Sequence, residues 1–130
     1  MPVSAEWDNE SQTIIRIRID DPWDLDEYSQ ATLHAWSLMQ TVDYSVHLII
    51  DLTDTFTFPK NLLSAAPTIN SHVHPRQGLV IGVKISPYLQ AVMRVAIRVF
   101  PRLGQNVLFT QTLQEAYALI QRHNPDSQSG

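Results

Sequence analysis

Four carboxylates, Asp20, Asp21, Asp51 and Asp54, each follow an apolar, β-branched segment of the chain. If those segments are neighbouring parallel strands, the side chains gather at one edge of a sheet, where open α/β sheets bind their ligands. Carboxylates so placed can hold magnesium and accept a phosphoryl group. Two features argue against that chemistry: only one helical segment separates Asp21 from Asp51, and no lysine follows the last apolar segment. The plainer reading is that Asp20 and Asp21 close a strand while Asp24 caps the following helix, its charge favoured by the helix dipole.

His72-Val73-His74 has the spacing that places two imidazoles on one side of an extended segment. Two ligands do not make a metal site and no third is signalled nearby, so neither a metal nor another cofactor is expected. His47 lies inside an apolar run and reads as a packed, hydrogen-bonded histidine rather than a general base. There is no nucleophile elbow and no Ser/His/Asp order, and with four glycines the phosphate-cradling loops are nearly excluded. Binding is therefore expected rather than catalysis.

Arg94, Arg98 and Arg102 recur every four residues, which puts at least two of them on one helical face. That stripe suits an acidic partner or an anionic head group, and equally a solvated surface. In Thr55-Phe56-Thr57-Phe58 the aromatic residues alternate with threonines. Together with Trp23 they can line a hydrophobic mouth above the sheet, or simply pack beneath the loop. The threonines are expected to supply turn chemistry.

The elements that must position these groups are legible from pattern. Val3 to Trp7 and Thr13 to Ile19 alternate, separated by the turn residues Asp8 to Ser11, and predict an antiparallel hairpin with one wet face. Asp24 and Glu27 form a capping box that opens a helix whose stripe is Leu25, Tyr28, Thr32, Ala35, Trp36, Met39 and Val42. Val46 to Leu52 is a continuous apolar run, as expected of a strand covered on both faces. A short helix from Lys60 to about Ala66, with Pro59 in its first turn and Pro67 kinking or dividing it, precedes a strand from Leu79 to Ile85. Ser86-Pro87 opens a long helix that buries Leu89, Val92, Met93, Ala96, Ile97 and Phe100 and ends at Pro101 and Gly104. A last strand, Asn106 to Phe109, leads to a capping box at Thr112 and Glu115 and a helix with Ala116, Leu119 and Ile120 inward. The fold class is α/β, β-β-α-β-α-β-α-β-α, with a mostly parallel sheet, an antiparallel N-terminal edge strand and packed helices. The domain spans residues 1–123, and 124–130 is expected to be a disordered tail.

This element order resembles the STAS-like domains, the family of bacterial anti-sigma-factor antagonists and its branch related to the Sec14-type lipid-transfer fold. The resemblance rests on that order, on Leu48-Ile49-Ile50-Asp51-Leu52 standing where the family has its apolar strand ending in Asp-Leu, and on the threonine-rich loop that follows. It implies a small regulatory or binding module. The phosphorylated antagonists carry a switch serine in an Asp-Ser-Ser-Gly-like segment. The matching positions here, Pro59, Lys60 and Asn61, bear no hydroxyl, so no phosphoserine is expected.

A net charge of -4 supplies no basic field for nucleic acid, and the absence of cysteine excludes disulfides and thiolate sites. No apolar run reaches the roughly 18 residues of a membrane span, and a soluble, cytoplasmic protein is expected. The leading expectation is a noncatalytic module that binds a protein partner through Trp23, Asp51, Asp54, Thr55, Phe56, Thr57, Phe58, Arg94 and Arg98, with no deep cavity. The alternative is a carrier of a small apolar or lipid-like ligand, which predicts an apolar pocket of roughly 300 Å³ or more. A homodimer through an exposed edge strand is compatible with both.

Overall fold

A computed structural model describes residues 2–123; the tail expected over 124–130 lies outside them. Five strands, β1 (Val3–Trp7), β2 (Ile14–Ile19), β3 (Val46–Asp51), β4 (Gln77–Val83) and β5 (Val107–Thr110), form one sheet in the order β1-β2-β3-β4-β5. β1 runs antiparallel to β2 and the other pairs are parallel, as the alternation of elements predicts. Asn9 closes the hairpin by accepting from the Thr13 and Ile14 amides at 3.0 and 3.2 Å. Four helices complete the chain: α1 (Leu25–Met39), α2 (Ala66–Ser71), α3 (Pro87–Val99) and α4 (Leu113–His123). Asp24 and Glu27 make the predicted reciprocal box on α1, and Ser86 Oγ accepts from the Leu89 amide at the start of α3.

Each crossover from β2 onward steps to the next strand in the same direction. Right-handed crossovers of that kind put α1, α2 and α3 on one face of the sheet. Ile15, Ile17 and Ile19 of β2 and Leu48 of β3 point toward that face, where they meet Ala31, Ala35 and Met39 of α1. The neighbouring residues along the strands, Ile14, Ile49, Leu79, Ile81 and Val83, point the other way and pack under Ala116 and Ile120 of α4. This two-sided burial is why β3 reads as an unbroken apolar run.

Three boundaries differ from expectation. Asn61 at φ 62° delays the helix after β3, leaving Pro59 in the loop and producing a 3₁₀ turn at Leu62–Ala65 before α2, which has Pro67 in its first turn. β4 starts two residues early because Gln77 pairs with Val46, and it ends at Val83 because Lys84 takes φ 62° and leaves the ladder. The side of the hairpin expected to be wet is partly covered: Arg16 pairs with Asp51, and Tyr117 of α4 donates to Asp8.

Candidate functional site: an apolar cavity beneath α3

α1 and α3 lie over the same face of the sheet but meet it differently. α1 presents Ala31, Thr32 and Ala35, and these small side chains let its backbone close on β1 and β2. α3 presents Leu89, Val92, Met93, Ala96 and Ile97, and none of its residues is fully buried. Its backbone rests chiefly on the 3₁₀ turn after Asn61 and on a second one, Pro101–Gly104, where a Cβ on Gly104 would come within 2.7 Å of Ile97. Between α3 and the sheet is an apolar cavity of about 190 Å³. Its floor is Ile17, Leu48, Ile50 and Val80; α1 contributes Tyr28, Thr32 and Trp36, and α2 contributes Ile69. Of the stripe predicted to be buried by α3, Leu89 packs against the core at the cavity edge, Val92, Met93, Ala96 and Ile97 face this space, and Phe100 lies beyond it at the helix end.

An engineered cavity of about 150 Å³ lined by aliphatic side chains stays dry and takes up benzene. The cavity here exceeds that, so the expectation of a surface without a deep cavity does not hold. It is also below the 300 Å³ expected of a carrier, because α3 settles onto its two flanking turns. Among the described residues no lysine, arginine, aspartate or glutamate lines it. Tyr28 is half-buried in the wall, and desolvation pushes its phenol up to about 12.

The loop after β3 is tied to the end of the hairpin. Asp21 accepts from the Phe56 amide (2.7 Å), the Thr57 amide (3.3 Å) and the Thr57 hydroxyl (2.8 Å), and the Phe56 amide above all holds its carboxyl below the usual range. Thr55 donates to the Ile19 carbonyl at 2.6 Å, and the Trp23 indole to the Thr57 carbonyl at 2.9 Å. Both threonine hydroxyls thus hold the turn, and Trp23 is fixed against the cavity wall. Phe58 packs edge-on to Trp23 and against Tyr88, centroids 6.5 and 5.8 Å apart. Phe56 is 72% exposed, with Lys84 5.6 Å from its ring centroid, and does not reach the cavity.

The acidic strand ends do gather at one edge, but the sheet divides them from the cavity and each is engaged. Asp51 points to the α4 face, where Arg16 and Thr53 donate to it. Burial alone would raise its carboxyl, but these donors hold it below the usual range. Asp20 and Asp54 face Arg18 at 3.6 and 3.5 Å. Among the described residues no group of three or more histidine, aspartate or glutamate side chains converges as a metal cage requires. His72 and His74 part company. His74 is buried on Trp36 between Gln40 and the Arg76 amide, whereas His72 turns to Thr32 and lines the cavity. His47 is core, accepting from the Leu79 amide at 2.9 Å, with burial and nearby His123 lowering its pKa.

Arg94 and Arg98 are exposed on the outside of α3, beside Tyr88, Val95 and Val99, which are exposed as well. Of the expected binding residues, only Trp23 lines the cavity. Sequence reasoning missed Tyr28, Thr32, Trp36 and His72. The available signal was that aromatic and hydrogen-bonding residues recur every fourth position in α1, beside the alanines that make its close contact. Among the described residues no helix is long and apolar enough to cross a membrane. Comparison with known protein families, curated proteins and solved structures finds no match to this chain.

Proposed function

We propose that this chain is a noncatalytic binding module that holds a small apolar ligand between its sheet and α3. The observation that carries this reading is the 190 Å³ cavity, lined almost wholly by apolar side chains and roofed by a helix without a fully buried residue. Burying apolar surface is worth about 25 cal/mol per Å², so an apolar guest gains by filling such a space and completing the seat of α3. Its size suits a guest of about eight non-hydrogen atoms, or one end of a longer chain, by scaling from benzene in about 150 Å³. The resemblance to STAS-like domains, resting on element order and the strand ending in Asp51-Leu52, agrees with a module that binds without catalysing.

Native mass spectrometry followed by denaturing spectrometry of the same sample tests this. A mass excess lost on denaturation supports it, as does p-xylene uptake by the purified protein that Ala96→Phe abolishes while leaving the fold intact. Absence of both overturns it.

A second reading, the docking of a protein partner, is favoured by the exposed apolar residues Phe56, Leu63, Tyr88 and Val99, which neighbour Arg94 and Arg98 in α3 or lie in the loops at its start. Retention of partner binding by Ala96→Phe and its loss in Tyr88→Ala would assign function to this outer surface instead of the cavity.

A further inference from the structure

The polar atoms on the cavity wall bear on what its guest must carry, an inference that rests on the reading of the cavity as a ligand site. Thr32 and His72 face each other across α1 and α2, with Thr32 Oγ1 2.8 Å from His72 Nδ1. Thr32 Oγ1 is also 2.7 Å from the Ser29 carbonyl, so its single hydrogen has two acceptors within reach. Whichever it takes, His72 Nε2 keeps a hydrogen-bonding role of its own in a neutral imidazole: acceptor if Nδ1 carries the proton, donor if it does not. Nε2 has no partner among the described residues. One turn before Thr32 on the same stripe of α1, the hydroxyl of Tyr28 makes no hydrogen bond to a described residue, and Tyr28 also lines the cavity. Next to the lining residue Ile69 on α2, Asn70 Oδ1 is buried without a partner. The cavity wall thus carries two polar side chains, His72 and Tyr28, each with a hydrogen-bonding atom that no described residue engages.

Among the described residues no lysine, arginine, aspartate or glutamate side chain faces the space. A carboxylate or ammonium group inside would lose its hydration without gaining an opposite charge, a heavy penalty in an apolar setting. A purely hydrocarbon guest would fill the volume and give His72 Nε2 no partner. A hydroxyl suits Nε2 in either tautomer, since it donates once and accepts through its oxygen. We infer that the ligand is an uncharged amphiphile, an apolar body bearing a hydroxyl that hydrogen-bonds to His72 Nε2 on the α1–α2 side of the cavity.

Four probes of similar size separate the outcomes: p-xylene, its isostere p-cresol, benzoate and benzylammonium, each titrated into the whole protein at pH 7.5 with amide NMR shifts as the readout. An unpaired hydroxyl in a dry cavity lowers affinity about tenfold or more. The inference predicts instead that p-cresol binds at least as tightly as p-xylene, and that the two ions do not displace it. His72→Leu and His72→Phe should each weaken p-cresol about tenfold while changing p-xylene less than twofold; either variant suffices if the other does not fold. If p-xylene binds ten times more tightly than p-cresol, or if benzoate or benzylammonium competes with p-cresol, the cavity reading survives and this inference is overturned. If none of the four binds, this inference is overturned, and the cavity reading falls with it when native mass spectrometry also shows no mass excess.

Discussion

α1 and α3 cover the same face of the same sheet, open with side-chain caps, and carry apolar stripes of similar length, yet α1 closes on β1 and β2 along one side of the cavity while α3 stands over it. The difference lies in which side chains point inward. Ala31 and Ala35 let α1 approach until Met39 is 1% exposed. α3 sends down larger side chains, Leu89, Val92, Met93 and Ile97, which stop short of the floor formed by Ile17, Leu48, Ile50 and Val80. Close packing requires complementary shapes as well as apolar surfaces. A helix can have a strong apolar stripe and still leave room beneath it.

The largest expected effect is a matched pair. Met39→Ala should destabilise the protein by about 2–5 kcal/mol in urea denaturation, as for other buried large-to-small changes. Met93→Ala should cost less than about 1 kcal/mol: both methionines border the cavity, but Met93 is only half-buried and has less apolar burial to lose. Equal losses would show that α3 is packed as firmly as α1.

The converse pair comes next. Ala31→Leu, at a buried α1 position away from the cavity, should overpack and cost about 1–3 kcal/mol, whereas Ala96→Leu fills the cavity and should be neutral or stabilising by up to about 1 kcal/mol. Native-state hydrogen exchange should agree: α3 amides are expected to open at lower free energy than those of α1, since few buried contacts hold that helix.

A pH titration sharpens the comparison from the α1 side. His74, buried against Trp36 of α1, has its pKa lowered by burial and secondarily by Arg76. Unfolding frees it to bind a proton at its ordinary value of 6.5. Its contribution to stability is therefore complete above that value and is lost as pH falls below it toward the folded pKa. The urea midpoint should drop from pH 7.5 to 5.5, and the drop should shrink in His74→Asn.

The smallest effect is expected outside both helices. Phe56→Ala should change stability by less than about 0.5 kcal/mol, since that ring is exposed, while Phe58→Ala, between Trp23 and Tyr88, should cost more.

The order of elements, the two-sided burial of β3, and the caps at Asp24 and Ser86 were all legible in the chain, because each depends on residues within a few positions of one another. The site was less legible. The carboxylates at the strand ends read as one group, but Asp51 belongs to the α4 face and Asp21 to a loop tether, a division set by strand alternation acting across the whole sheet. The Phe56-Phe58 pair read as a mouth, but Asp21 captures the backbone between them and leaves Phe56 in solvent.

By itself, then, the sequence determined the α/β class, the parallel order and the two apolar faces, since periodicity and capping are local and each strand can bury a residue on only one side at a time. Tertiary structure alone decided that the space under α3 stays open and that His72 and Tyr28 stand at its wall. The gap between a helix and a sheet depends on how side chains from five or six distant segments fit together, and no stretch of the chain contains that information.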